Sequence, residues 1–321
     1  MTTARSAQID LTATPYYHCM SRCVRGAYLC GEHSETGKDY SHRRGWIAAR
    51  IKQLSESFAI QIAAYAVMSN HYHLVLHVNL EQAKAWQEEE IIARWGNIFP
   101  QDAKKITGLD TFLRQEKLTL WKDRLANVSW FMRCLNERIA RLSNEEDDTQ
   151  GRFWEGRFKS QALLDEGAVL SAMAYVDLNP IRAKVALTPE QSDFTSIQER
   201  IQVAKRKGVR AHPPQLMAFG PTESTPCALP FTLIDYLELV DTTGRFLRED
   251  KRGAIPAQLA PILTRLNLTL SGYLEIVSHL EESFCYAVGQ AKHLESFASH
   301  VRRRSPKGIR SAKAYYLTSV A

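Results

Sequence analysis

Two apolar runs, IQIAAYAV at residues 60–67 and HYHLVLHV at residues 71–78, are separated only by Met68-Ser69-Asn70, and no other feature narrows the possible folds as much. Runs of this length, rich in Val, Ile and Tyr and bounded by turn residues, form strands. So short a gap joins them as a β-hairpin turning at Ser69-Asn70. An isolated hairpin is marginal in water, so this one must recruit further strands and a covering layer. YYHCMSR at residues 16–22 supplies a first strand. Between it and the hairpin, Trp46, Ile47, Ile51, Leu54 and Phe58 repeat at helical spacing and predict a helix from Ser41 to Phe58.

A second amphipathic helix follows from Val128, Phe131, Met132, Leu135, Ile139 and Leu142, with the polar stretch Ser143 to Gly151 ending it. Asp165 is a good N-cap for a third helix through Val169, Leu170, Met173 and Val176, which Pro180 ends or kinks. Strand, helix, hairpin and then helices predict an α+β fold: a ferredoxin-like antiparallel sheet with helices, covered on one face. The Pro- and Gly-rich stretch from about Lys205 to Pro230 marks the best boundary. The expected division is residues 1–205, a linker at 206–230, and a mainly helical C-terminal region at 231–321, with helices at Leu233 to Leu247, Ala257 to Leu266 and Tyr273 to Phe297.

With 45% hydrophobic and 24% charged residues in 321, the chain has an ordinary globular composition, neither disordered nor membrane-like. Met1 to Pro15 is polar, without the apolar core of a signal peptide, and no run is long enough to span a bilayer, so a cytoplasmic protein is expected. A net charge of +6 is mild evidence for a polyanionic partner. Basic residues cluster at Arg152, Arg157 and Lys159, at Arg200 to Arg210, and at Arg302 to Lys313; each cluster also fits a solvated face. Six cysteines form no CxxC pair, and the spacing of Cys19, Cys23, Cys30 and His33 matches no zinc finger, so reduced, partly buried thiols are expected.

Three stretches can carry chemistry. His71 and His73 lie two apart on a strand and project from one face, where both imidazoles can hold one divalent cation, while Tyr72 between them faces the other way. A hydrogen-bonded pair without a ligand explains them equally, and His77, further along, is read as structural. Tyr175 and Asn179 are four apart and share a helix face, though the residue before a proline is steered from helical torsions. A packed amphipathic tyrosine is the plain alternative. Finally, GRFWEGRFKSQALL at 151–164 interleaves Arg152, Arg157 and Lys159 with Phe153, Trp154 and Phe158. Cations with aromatic faces suit single-stranded nucleic acid, and a buried aromatic cluster is the other reading.

Taken in order, YYHCMSRCVRGAYLC, MSNHYHL, FWEGRF and AYVDLNPIRAKVA resemble the signatures of the single-tyrosine HUH transposases, especially the REP-associated tyrosine transposases. The resemblance spans roughly residues 15–187, with Cys23 where the family often has glycine and Ala183-Lys184 where it often has Ala-Gly. It implies an HUH nuclease-like fold and a transposase that cleaves and rejoins single-stranded DNA beside palindromic-repeat hairpins through a 5′-phosphotyrosine intermediate. By the same resemblance Tyr175 is the nucleophile and His71, His73 and Asn179 are ligands to Mg²⁺ or Mn²⁺. Arg22, Trp154, Arg157 and Arg182 fall on motif positions and, with Arg152 and Lys159, are candidate DNA contacts. The protein would act as a monomer or homodimer with no membrane partner. Two rivals remain: a domesticated DNA- or RNA-binding protein that does not cleave, and a metal-dependent phosphohydrolase in which water attacks.

Overall fold

A computed structural model describes residues 8–24, 37–221, 227–248, 260–301 and 307–317. The elements run β1 (Tyr16–Arg22), α1 (His42–Ser57), β2 (Ile60–Val67), β3 (His71–Val78), α2 (Leu80–Ala85), α3 (Glu88–Gly96), α4 (Pro100–Lys105), α5 (Thr111–Leu125) and α6 (Val128–Glu146). They continue with β4 (Lys159–Leu163), α7 (Glu166–Asp177), α8 (Asn179–Arg182), α9 (Ser196–Lys207), α10 (Leu233–Phe246), α11 (Ala260–Arg265), α12 (Leu270–Ser283), β5 (Ala287–Val288), α13 (Ala291–His300) and α14 (Ile309–Tyr315).

The strand order is β2-β3-β1-β4-β5. Its first four strands are mutually antiparallel in the ferredoxin-like arrangement, and β5 adds to β4 in parallel. Register sets the faces. Because paired residues point to the same side, Arg22 opposite His71 and Met20 opposite His73 share one face with His18, while Ser21 opposite Tyr72 shares the other. The Tyr72 hydroxyl reaches Asn136 on α6 and Ser21, whereas the His73 ring meets Tyr175 on α7. Helices therefore cover both faces, not one as expected. The cause is visible in β2 and β3, which are buried almost throughout and so leave neither side to water.

Asp165 caps α7 as anticipated, its Oδ1 accepting from the Ala168 amide at 2.8 Å. The other oxygen, Oδ2, accepts from the Gln290 amide at 2.8 Å and lies 3.0 Å from His293 Nδ1, so one carboxylate ties α7 to the C-terminal segment. That segment breaks the helix expected over Tyr273 to Phe297. The chain leaves α12 at Ser283 because the β4 edge offers better partners, with the Ala162 amide donating to the Tyr286 carbonyl and the Leu164 amide to that of Val288. Gly289, at φ 155°, makes the turn possible, since a Cβ there would sit 2.9 Å from Asp165 Oδ2.

Buried side chains from Tyr17 to Tyr316 form one contiguous core, with Leu216 and Met217 laid against Ile62. Cys19 and Cys23 are buried; Cys30 and His33 lie outside the described residues, as do Arg302 to Arg304. No helix among the described residues is long and apolar enough to cross a membrane.

Asp177, at the end of α7, is fully buried. It accepts from Ser196 Oγ at 2.5 Å, the Ile197 amide at 3.0 Å and the Tyr236 hydroxyl at 2.6 Å, joining α7, α9 and α10. Burial pushes its carboxyl up to about 6 despite these donors. A carboxyl raised in the folded state binds its proton more tightly there than in the unfolded chain. Stability attributable to it is therefore greatest below the unfolded value near 3.8 and falls as pH rises through about 6. Comparing wild type with Asp177→Asn by urea unfolding cancels the other titrations. The wild type should lose on the order of 3 kcal/mol relative to the variant between pH 4 and pH 7, and a pH-independent difference would refute the assignment.

Candidate active site

The sheet face that carries the histidines is roofed by α7, and the candidate groups meet in that layer. His71 and His73 stand edge to face with ring centroids 4.8 Å apart, and the Tyr175 ring lies edge-on to His73 at 5.5 Å. His18, from the neighbouring strand, completes the group: its ring stacks on His73 at 5.1 Å and meets Tyr175 at 5.8 Å. Its Nε2 is 2.9 Å from His73 Nδ1, and its Nδ1 is 2.8 Å from Gln161 Oε1 on β4. These two nitrogens of His18 are thus both spoken for by neighbours, which fixes the orientation of the pair.

Burial governs the charges. It pulls His71 down to about 4, helped by the Arg22 guanidinium, and holds His73 well below the usual imidazole range, reinforced by His18 and His71. His18 is lowered for the same reason, against the opposing field of Glu281. All three are accordingly neutral near pH 7, the state in which an imidazole can ligate a cation. Burial likewise raises the Tyr175 phenol above its ordinary value, while Arg182 opposes the shift.

A carboxylate from the C-terminal region closes the site. The Tyr175 hydroxyl donates to Glu281 Oε1 at 3.2 Å; the same oxygen is 3.8 Å from His73 Nδ1, and Oε2 is 3.9 Å from Lys159 Nζ. Glu281 is held there by Arg182, whose guanidinium stacks 3.7 Å from the Tyr175 ring centroid and donates to the carbonyls of Val277 and Ser278 at 2.9 and 3.1 Å. Those carbonyls lie just before His279, where non-helical torsions kink α12. Beside this group a cavity of about 440 Å³ opens along β1 and β4, lined by His18, Met20, Phe158, Lys159, Gln161 and Glu281 among others.

His71, His73, Tyr175 and Arg182 are thus brought together, with Arg22 beside His71 and Lys159 beside Glu281; Arg157 lines the cavity. Trp154 and Arg152 are not. Trp154 is buried against Tyr72 and Phe153 on the opposite face, its indole N–H donating to the Asn136 carbonyl at 2.9 Å, and Arg152 Nε is folded back onto the Trp154 carbonyl. That explains Phe153 and Trp154 as packing behind the sheet, whereas Phe158 lines the cavity. Asn179 opens α8 after a break at Leu178, and among the described residues no hydrogen bond joins its side chain to the histidines. His77 is structural as expected, 2.9 Å from Gln61 Oε1 and packed on Tyr16.

The fit of a cation rests on the histidine pair. His73 Nε2 is buried with no hydrogen-bond partner, an arrangement that costs free energy unless something binds there. Among the described residues no three His, Cys, Asp or Glu side chains form a ligating group. The unpartnered His73 Nε2 and the adjacent His71 imidazole fit a divalent ion whose remaining positions would be completed by water or substrate oxygens.

No protein-family model and no curated protein matches the sequence. Among solved structures the chain is similar to one described as a REP-associated tyrosine transposase bound to a REP hairpin, with a TM-score of 0.38 and 10% identity over 66% of this chain and 90% of that one. A likeness of that degree transfers no residue role.

Arg182→Ala removes two charge-assisted hydrogen bonds to α12 as well as the stack on Tyr175, and should cost about 2–3 kcal/mol. Hydrogen exchange of the amides at 277–283 should rise well before global unfolding. Unchanged protection there would show that α12 is held by its apolar contacts alone.

Proposed function

We propose that this chain is a single-tyrosine HUH transposase that cleaves and rejoins single-stranded DNA next to hairpins, with Tyr175 as nucleophile. One observation carries the reading: a phenol and a pair of neutral, strand-borne imidazoles, about a hundred residues apart in sequence, converge on one buried face. The order of the four sequence signatures supports it independently.

In this reading the Tyr175 oxygen attacks phosphorus, the bond to the upstream 3′ oxygen breaks, and the phenol proton ends on the released 3′-hydroxyl. The new phosphotyrosine ester conserves the bond, so another 3′-hydroxyl can reverse the step onto a different strand. The chain's own groups orient the attack. Arg182 against the ring and Glu281 at the hydroxyl restrict rotation of Tyr175, and Arg182 also favours the phenolate electrostatically. His71 and His73 would hold Mg²⁺ or Mn²⁺, with Asn179 the third protein ligand the family resemblance implies; such an ion, when bound, neutralises charge on the scissile phosphate. Arg157 and Lys159 line the neighbouring cavity, Arg22 lies opposite His71, and all three suit the DNA backbone.

The test is incubation with Mn²⁺ and end-labelled single-stranded hairpins, followed by denaturing electrophoresis. Wild type should yield a covalent protein–DNA band that Tyr175→Phe abolishes while retaining DNA affinity within about twofold, since only a hydroxyl is lost. Binding without any adduct in the wild type would favour a non-cleaving DNA-binding protein, and cleavage without adduct a hydrolase. Separately, His71→Ala and His73→Ala should each lower adduct formation at least tenfold at limiting Mn²⁺, with calorimetry showing weaker Mn²⁺ binding; equal binding in the variants would remove both histidines from the ligand set.

A further inference from the structure

We propose that the cavity between β4 and the C-terminal segment receives one nucleobase turned out of a single DNA strand, with the flanking phosphates on Arg157 and Lys159; this rests on the reading of the chain as a DNA-cleaving enzyme. The cavity adjoins the candidate nucleophile, because Glu281 lines it and bonds Tyr175. About 440 Å³ is the small end of the range for ligand pockets, room for a nucleotide but not for a stacked base pair. A base enters such a pocket only after leaving its stack, which is cheap in single-stranded DNA.

The distribution of groups separates base from phosphate. Met20, Phe158 and Tyr286 provide apolar and aromatic surface within the cavity, whereas Arg157 and Lys159 are exposed at its edge. The lining also includes the Glu281 carboxylate, which disfavours an anion inside and leaves the uncharged heteroaromatic ring as the part that enters. The polar floor is already engaged within the protein, His18 with Gln161, Gln161 with the Phe284 carbonyl, and Ser160 with Gln8. With those groups occupied, the base is held by stacking more than by edge-specific hydrogen bonds, so the subsite accepts any base. One wall, Cys285 and Tyr286, comes from the loop leading into β5, outside the stretch that carries the family resemblance.

The experiment uses the full chain carrying Tyr175→Phe, to prevent cleavage, and short fluorescent single strands, each with one abasic site at a successive position. Anisotropy should show one position at which the missing base weakens binding about tenfold. Tyr286→Ala should erase that positional penalty and Tyr286→Phe restore it. Cys285, exposed in the cavity wall, gives a readout needing no pocket variant: saturating DNA should slow its alkylation by iodoacetamide at least tenfold relative to Cys227, measured by mass spectrometry. Strands that bind with equal penalties at every abasic position, or that leave Cys285 as reactive as before, would overturn the base pocket while leaving the DNA-cleaving reading intact. Failure of the wild type to bind any single strand would overturn both.

Discussion

The pairing of β1 with β3 is the constraint on which the site depends. Their antiparallel register places His18, Met20 and Arg22 on the same face as His71 and His73, and a slip of β1 by one residue would send its three side chains to the α1 and α6 side. What prevents the slip is the alternating set. Tyr17, Cys19, Leu74 and Leu76 fill the core behind the sheet, and Tyr72 is anchored there by Asn136 and Ser21. Packing on one face thus fixes the chemistry on the other, and the histidines need no special device to point at α7. Their neutrality has the same origin, because the helix that brings Tyr175 also removes water from the imidazoles.

How much of this was legible in the sequence depended on how local its cause was. The hairpin, α1, α6 and the Asp165 cap are each set by residues within one turn or one alternation, and each forms where the pattern places it. Long-range causes were hidden. Trp154 carries the composition of a stacking residue, and only the fold shows its indole spent on the Asn136 carbonyl behind the sheet. The helices from α2 to α5 bury Trp95 against Trp121, yet α5 spreads apolar residues around its circumference, leaving Phe112 and Leu113 exposed, so no stripe announces it. The break after α12 is dictated by the unpaired edge of β4, which no local pattern near Ser283 records.

At the candidate site, His18 was within reach of sequence reasoning, since it alternates with Met20 and Arg22 on a strand antiparallel to the His71–His73 pair. Glu281 was not. It arrives from 106 residues beyond Tyr175, on a helix whose kink is held by Arg182. Arg182 itself illustrates the ambiguity of a basic motif position. The same guanidinium that a sequence pattern offers to DNA is, in the fold, stacked on a phenol and bonded to two carbonyls.

The parallel pairing of β5 with β4 also bears on how the chain is made. A strand laid down at Lys159–Leu163 does not meet its outer neighbour until Ala287–Val288 has been synthesised, so on a ribosome its open edge waits on the order of ten seconds at ordinary elongation rates. During that interval the sheet has an unprotected side able to pair with a second nascent chain. The exposed lysine at the start of β4 and the brevity of the strand are the kind of features that make such mispairing less favourable. Yield in the cell would then hinge on translation speed between these two segments as much as on the stability of the finished fold.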